Sequence, residues 1–166
     1  MPSPGLFAIK ITGLAFSASH FITFGRTRCE PIHGHTFRVE VIWRGKLGRY
    51  GYIVDFRRLR SLAGEILSEL NDRVLLPVRN PAIDITLDRT QVRVQCGRST
   101  LELPRSACAL IDVDNVTAER LAEFIALQVE KRAAEKGLPS PQEVEVWVEE
   151  EPGCLAGYRL MGEAGS

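Results

Sequence analysis

The chain has no surplus of either charge, because 21 lysines and arginines balance 21 aspartates and glutamates over 166 residues. A balanced chain is a poor candidate for general nucleic-acid binding or for attachment to an anionic membrane surface, both of which favour a basic surplus. No apolar run is long enough to span a bilayer, and residues 1–5 lack the charged-then-apolar layout of a signal peptide. We therefore expect a cytoplasmic protein without nucleic-acid or membrane partners.

Cysteine is scarce, and none of the four cysteines forms a Cys-x-x-Cys pair. This argues against a zinc ribbon and against a redox motif of that kind. Reduced thiols are the expectation for a cytoplasmic chain. A chain of this length can bury a core without disulfides, so we expect one domain over residues 1–166.

Histidine is scarcer still, with only three in the chain, yet all three fall between positions 20 and 35. His33 and His35 begin an alternating segment that predicts a β-strand, on which they share one face. Three imidazoles suit a catalytic zinc site, which takes three protein ligands and leaves a fourth position open. Without a metal, such a group would leave ring nitrogens unpaired. We therefore predict that His20, His33 and His35 bind Zn²⁺.

Periodicity predicts the remaining elements. Asp55 and Thr117 mark the starts of two amphipathic helices, the second of which stops at Gly137. Alternation predicts strands over residues 6–16, 33–43 and 143–149. Between about residues 78 and 112 the chain has an added β element, in which 91–95 and 99–103 form a hairpin.

Glu150 follows the last predicted strand, in which three valines alternate with outward residues. If the strand continues by one residue, Glu150 points inward, and a carboxylate there needs a partner or a purpose. If the strand has already ended, residues 149–151 form an exposed acidic turn. Periodicity alone leaves both interpretations open.

Several segments together resemble the 6-pyruvoyl-tetrahydropterin synthase family, which includes the 6-carboxy-tetrahydropterin synthases of queuosine biosynthesis. The resemblance covers most of the chain outside the added β element. The segments are 16–20 (FSASH), 29–35 (CEPIHGH), 51–56 (GYIVDF), 115–119 (NVTAE), and Glu150 with Tyr158-Arg159.

The resemblance implies an α+β tunnelling fold, with an antiparallel four-stranded sheet, two helices on one face and here an inserted β-hairpin. It also implies a homo-oligomer, a trimer or hexamer with active sites at subunit interfaces, which would cover open sheet edges. The three histidines correspond to the family's zinc ligands. Glu150 corresponds to the residue that anchors the pterin, since a carboxylate can grip a guanidine-like edge bidentately. Thr117 matches a second pterin contact.

The family's reaction starts from 7,8-dihydroneopterin triphosphate. Zinc assists removal of a carbon-bound proton from the three-carbon side chain, and triphosphate is eliminated. The resemblance implies that Cys29 is the cysteine that moves protons, helped in the family by a histidine that an aspartate holds.

The chain departs from the family where that Asp-His pair should stand, because Asn71 and Asp72 occupy the corresponding positions. Asp72 could act as the base in place of histidine, but its pKa would need to be raised by burial. Three hypotheses remain open. The chain runs the family reaction through Cys29 and Asp72, or cleaves the side chain to 6-hydroxymethyl-dihydropterin with Glu30 as the catalytic glutamate, or only binds a pterin.

Overall fold

A mixed six-stranded sheet forms the body of the molecule. A computed structural model describes residues 5–162, so residues 1–4, on which the expectation about a signal peptide partly rests, lie outside the described part. Its strands are β1 (Phe7–His20), β4 (His33–Gly45), β5 (Arg73–Pro77), β9 (Cys108–Ile111), β10 (Glu143–Glu151) and β11 (Cys154–Met161). They lie in the order β11-β10-β4-β1-β5-β9 across the sheet. The antiparallel four-stranded sheet that the resemblance implies is confirmed, and two short parallel strands extend it at one edge.

Two long strands, β1 and β4, form the centre of this sheet, and both follow the alternation seen in the sequence. On β4, Phe37, Val39, Val41 and Trp43 are buried while the residues between them are more exposed. The register of β1 shifts between Ile11 and Leu14, where Gly13 adopts a positive φ of 72°. A bulge of this kind lets β1 continue past the predicted end at residue 16, as far as His20.

Two helices cover the apolar face of the sheet, as predicted. Helix α1 (Phe56–Leu70) begins after Asp55, whose carboxylate accepts a hydrogen bond from the Arg57 N–H at 2.7 Å. Helix α2 (Ala118–Glu135) begins after Thr117, whose hydroxyl accepts from the Arg120 N–H at 3.3 Å. Their apolar stripes and the inward residues of the sheet form one continuous core. In the described part of the chain, neither helix has the length and apolar character needed to cross a membrane.

The predicted hairpin in the added segment is present, and a third strand joins it. The separate antiparallel sheet contains β6 (Ile83–Leu87), β7 (Gln91–Cys96) and β8 (Ser99–Pro104), and a short 3₁₀ turn at Arg105–Ala107 leads from it into β9. The added sheet therefore ends earlier than residue 112, because β9 pairs with β5 in the main sheet. A ribbon of two residue pairs, β2 (Thr23–Phe24) with β3 (Arg28–Cys29), connects β1 to β4.

The outer face of β10 differs from the sequence expectation. Glu143 and Glu145 were predicted to point away from the valines, and they do, but they are only 8% and 7% exposed. Arg44, directly opposite Glu143 on β4, donates to both carboxylates, with a distance of 2.5 Å to Glu145 Oε2. Arg159 of β11 flanks the same pair. Ion pairing, which periodicity does not report, allows these carboxylates to be buried.

Candidate metal and pterin site

Strand pairing brings the three histidines together at one end of the sheet. His20 lies directly opposite His33 across the β1–β4 ladder, and His35 follows two residues later on the same face of β4. The ring centroid of His20 is 4.6 Å from that of His33 and 5.4 Å from that of His35. The side chain of Phe37, next along this face, packs against two of the rings. The cluster therefore lies where the apolar core meets the end of the strands.

Backbone carbonyls fix the tautomers of two of these rings. Nδ1 of His20 lies 2.8 Å from the Val116 carbonyl, and Nδ1 of His33 lies 3.0 Å from the Pro31 carbonyl. Because a carbonyl oxygen can only accept a hydrogen bond, each Nδ1 must carry the proton. In the neutral ring, Nε2 is then left as a lone-pair donor, and a metal-ligating histidine is usually held in this way, with its other nitrogen donating to a carbonyl oxygen.

The Nε2 atom of His20 is buried and finds no hydrogen-bond partner among the described residues. Burial lowers the pKa of His20 below its ordinary value, although the Val116 carbonyl and the Glu150 carboxylate act in the opposite direction. The ring is therefore held in the neutral form that metal ligation requires. A buried lone pair without a donor is costly, and a cation would satisfy it.

Glu150 joins the histidines, which favours the inward interpretation of its position. Strand β10 continues to Glu151, with a register shift between Glu149 and Glu151. Glu150 Oε1 lies 3.5 Å from His20 Nε2 and 3.4 Å from His35 Nε2. A tetrahedral zinc site with bonds of about 2.1 Å has ligand atoms about 3.4 Å apart, so this oxygen is a candidate fourth ligand. The family resemblance implies only pterin binding for this residue.

The four potential ligand atoms, one from each of His20, His33, His35 and Glu150, all lie within 4.8 Å of one another. The imidazoles and the carboxylate are donors that Zn²⁺ accepts. The residues at this position therefore fit a single divalent cation.

Thr117 is linked to the histidine cluster through the residue that precedes it in the chain. Its neighbour Val116 supplies the carbonyl that orients His20. The Asn115 side chain fixes this segment, because its Oδ1 accepts from the N–H of Thr23 and of Val116, each at 3.1 Å. Its Nδ2 donates to the Thr23 carbonyl at 3.1 Å. Asn115 therefore ties the start of α2 to the segment that follows His20, a positioning role that sequence reasoning missed.

Cys29 is bonded to Cys96, so the expectation of reduced thiols is wrong for these two residues. Their Cα atoms are 6.5 Å apart, and 67 positions separate them in sequence. In this state Cys29 carries no thiol and cannot transfer a proton. Apart from the position of Cys96 at the turn of the predicted hairpin, no sequence pattern indicates this pairing. Cys108 and Cys154 are free.

Glu30 follows Cys29 in the chain. Both residues, together with Cys96, line a cleft of about 400 Å³. Its side chain is half-buried, and its Oε2 accepts a hydrogen bond from the Ile22 N–H at 3.3 Å. Its own N–H donates to the Ile22 carbonyl at 2.9 Å. Glu30 is therefore anchored to Ile22, which lies two residues after His20 in the chain. Its carboxyl group lies at the wall of the cleft.

Asp72 lies in a different cleft, of about 520 Å³, which it lines together with Ser17, Gly34 and His35. It has a positive φ of 57°, and its carboxylate accepts from the Asn71 side-chain amide at 2.8 Å. Asn71 Oδ1 in turn accepts from the Ser17 N–H at 2.8 Å. Asp72 is exposed in the single chain, so the burial that a carboxylate base would need is not provided by its own chain. Within one chain, Asp72 and Cys29 do not share a cleft.

The chain is similar in sequence to known proteins over most of its length. A sequence profile described as 6-pyruvoyl tetrahydropterin synthase matches residues 10–160. A Pyrococcus abyssi protein provisionally named 6-carboxy-5,6,7,8-tetrahydropterin synthase is 33% identical over 146 residues, which cover 87% of this chain and 85% of the relative. A dihydroneopterin monophosphate aldolase of Pyrococcus furiosus is 34% identical over 61 residues, 37% of this chain and 51% of the aldolase.

Solved structures show the same fold. A Plasmodium vivax 6-pyruvoyltetrahydropterin synthase, described as a catalytic-residue mutant in which alanine replaces a glutamate, superposes with a TM-score of 0.87 at 22% identity. The alignment covers 95% of this chain and 99% of the Plasmodium chain. The tunnelling fold expected from the sequence is confirmed.

Proposed function

Because the chain belongs to the 6-pyruvoyl tetrahydropterin synthase family, we propose that it is a zinc-dependent lyase acting on 7,8-dihydroneopterin triphosphate or a closely related pterin. The observation that carries the proposal is the buried, unpartnered Nε2 of His20, beside two further imidazoles and a carboxylate. Three imidazoles and a carboxylate gathered around a buried lone pair are the donors that a bound Zn²⁺ requires.

His20, His33 and His35 would hold the zinc, and the carbonyls that orient two of the rings support this role. When bound, zinc would supply Lewis-acid polarisation of oxygen atoms on the substrate side chain. Glu150 is proposed to grip the amino and ring N–H groups of the pterin. It is half-buried at the edge of the cluster, where it can reach both the cation and a ligand beside it.

Thr117 is proposed as the second pterin contact. Its hydroxyl already accepts from the Arg120 N–H at the start of α2, and it retains its own proton for donation to a ligand. Asn115 would act through Thr117 and Val116 by holding the chain segment that carries them.

Proton transfer is assigned to Cys29 in its reduced form, with Asp72 as the group that replaces the family's histidine. Because the two residues line separate clefts in one chain, this pairing requires that Asp72 come from a neighbouring subunit. The proposal therefore includes a homo-oligomer, a trimer or hexamer, whose interface would also bury the exposed carboxylate of Asp72. Queuosine biosynthesis in the cytoplasm is the proposed setting.

A second candidate function is cleavage of the side chain to 6-hydroxymethyl-dihydropterin with Glu30 as the catalytic glutamate. One observation favours it: in the disulfide state, Glu30 keeps a free carboxyl group at the cleft while Cys29 has no thiol. The aldolase relative supports it further.

Incubation of the zinc-loaded, reduced protein with 7,8-dihydroneopterin triphosphate tests both candidates. Triphosphate release and 6-hydroxymethyl-dihydropterin are measured separately by chromatography. Cys29→Ala should abolish the first product and Glu30→Gln the second. Pterin binding without either product in any variant would leave a binding protein and refute both enzymatic assignments.

A further inference from the structure

The added sheet packs onto the segment that carries Cys29. A second core, separate from the main one, forms between them. Its buried members are Phe21, Leu76, Ile83, Val92, Val94 and Cys96, and the partly buried side chain of Cys29 packs against them. The added sheet is therefore attached directly to a candidate catalytic residue.

The contact between the hairpin and this segment is close even without the covalent bond. Gly97, at the hairpin turn, has a φ of +56°, and a Cβ at this position would lie 2.8 Å from the Thr27 carbonyl oxygen. Val92 and Val94 are fully or almost fully buried. Breaking the disulfide would thus leave the hairpin docked by apolar packing.

Cys29 is also held by its own segment. It pairs with Thr23 in the β2–β3 ribbon, and the next residue, Glu30, is hydrogen-bonded to Ile22 in both directions. A reduced Cys29 would therefore stay at the wall of the cleft beside Glu30. Breaking the disulfide would therefore change the chemical group that lines the cleft, from a disulfide to a thiol, and would leave the local backbone structure largely the same.

The disulfide faces a cleft of about 400 Å³, large enough for a small thiol to approach, and both of its cysteines line that cleft. Cys108, in the same second core, is poorly suited to attack the bond from inside. Burial raises the pKa of its thiol, despite the nearby charges of Arg105 and Arg73, and its Sγ lies 3.4 Å from the Pro104 carbonyl. Exchange would therefore come from outside through the cleft.

We propose that the Cys29–Cys96 bond is a reversible modification site through which a dithiol reductant supplies the catalytic thiol. On reduction, a thiolate of the reductant attacks one sulfur of the bond, and the mixed disulfide is resolved by the reductant's second thiol. Cys29 and Cys96 gain two electrons and two protons, and the reductant is released as its own disulfide. Oxidation runs this exchange in reverse. A disulfide in a cytoplasmic protein is more often transient than permanent.

The inference rests on the proposed function only for its effect on turnover, so two readouts are needed. First, the native protein is equilibrated in glutathione buffers from oxidising to cytosolic ratios. Free thiols are then trapped with a maleimide and located by peptide mass spectrometry, while circular dichroism follows the fold. We expect Cys29 and Cys96 to open together at the cytosolic ratio with the fold retained. A bond that stays closed until the chain unfolds, or that never forms, overturns the inference.

Second, the two products are measured in both redox states. Oxidation should lower triphosphate release by about 100-fold or more, the contribution typical of a lost acid–base group. Cleavage that depends on Glu30 should persist. Cys96→Ser should carry a Cys29 thiol that reacts with maleimide without reductant, and should release triphosphate without reductant. Cys108→Ser, the matched control, should keep the redox response of the native protein.

The outcomes separate the inference from the function. If the bond opens and closes but no product appears in either state, the proposed function fails and the redox site stands. If triphosphate is released equally well by oxidised and reduced protein, the control of the thiol is refuted although the enzyme is real.

Discussion

Replacement of Glu150 by glutamine tests the division of labour inside the candidate site. Glutamine keeps the size of the side chain but removes the negative charge and turns one acceptor oxygen into a donor. A carboxylate that grips two N–H groups makes two charge-assisted hydrogen bonds, each contributing about 1.5–3 kcal/mol. In the variant, one of these hydrogen bonds is lost and the new amide N–H faces an N–H of the pterin, so binding of the pterin should weaken by about 3 kcal/mol. This corresponds to roughly a 100-fold increase in the pterin Kd.

The assay titrates zinc and pterin separately. Calorimetry or a chromophoric chelator gives the zinc affinity of the substrate-free protein, and fluorescence of the zinc-loaded protein gives the pterin affinity. Glu149→Gln is the matched control, because Glu149 is the adjacent carboxylate and its contacts lie elsewhere. It is 3.3 Å from Arg38 Nη1 and accepts from the Gly153 N–H at 2.8 Å. This control should leave both affinities unchanged.

The expected loss in Glu150→Gln falls on pterin binding, with zinc affinity much less affected. In the alternative, Glu150 Oε1 ligates the metal, because this oxygen lies 3.4 and 3.5 Å from two imidazole nitrogens. A fall of 100-fold in zinc affinity with unchanged pterin affinity would refute the anchor role and make Glu150 a fourth ligand.

Three further predictions concern stability. Arg44→Met removes the cation that donates to both buried carboxylates and leaves only Arg159, 3.3 and 3.6 Å away, so we expect a loss of about 3 kcal/mol in the free energy of unfolding at pH 7, measured with urea. Burial alone would raise the pKa of Glu145, but hydrogen bonds from Arg44 and Trp147 outweigh it and lower the pKa below its usual value of 4.5. The stabilisation is therefore complete above pH 4.5 and lost as pH falls further, so wild type and variant should converge there; a constant difference down to pH 2 would contradict this. Gly97→Ala should lower the free energy of unfolding by about 1–3 kcal/mol, because Gly97 has a positive φ and a Cβ there would meet the Thr27 carbonyl oxygen. Gly64→Ala, on a helix with open space around it, should raise the free energy of unfolding by about 0.5–1 kcal/mol. Equal shifts in Tm for the two variants would refute the close approach of the hairpin turn to Thr27.

The sequence predicted those parts of the site that depend on local periodicity. Alternation on β4 put His33 and His35 on one face, and helical spacing with Asp55 and Thr117 located both helix starts. These features depend only on residues that are close together in the sequence. The extension of β1 to His20 was missed, because a bulge at Gly13 interrupts the alternation by which its end was judged.

Other features that sequence reasoning missed depend on contacts between distant segments. The bond from Cys29 to Cys96 joins positions 67 apart, and spacing alone cannot choose a partner among four cysteines. The carbonyl of Val116 orients His20 although 96 positions separate them. The short strands β5 and β9 were also missed, because brief apolar runs beside a helix carry little periodic signal.

The metal content of the native protein tests the central claim most directly. Elemental analysis of protein purified without chelator should give one zinc per chain, and His20→Gln should lose it while keeping its fold by circular dichroism. Cys108→Ser, treated in parallel, should keep the metal. A native protein that takes up no zinc on titration, or a His20→Gln variant that holds zinc as tightly as the native chain, would contradict the account.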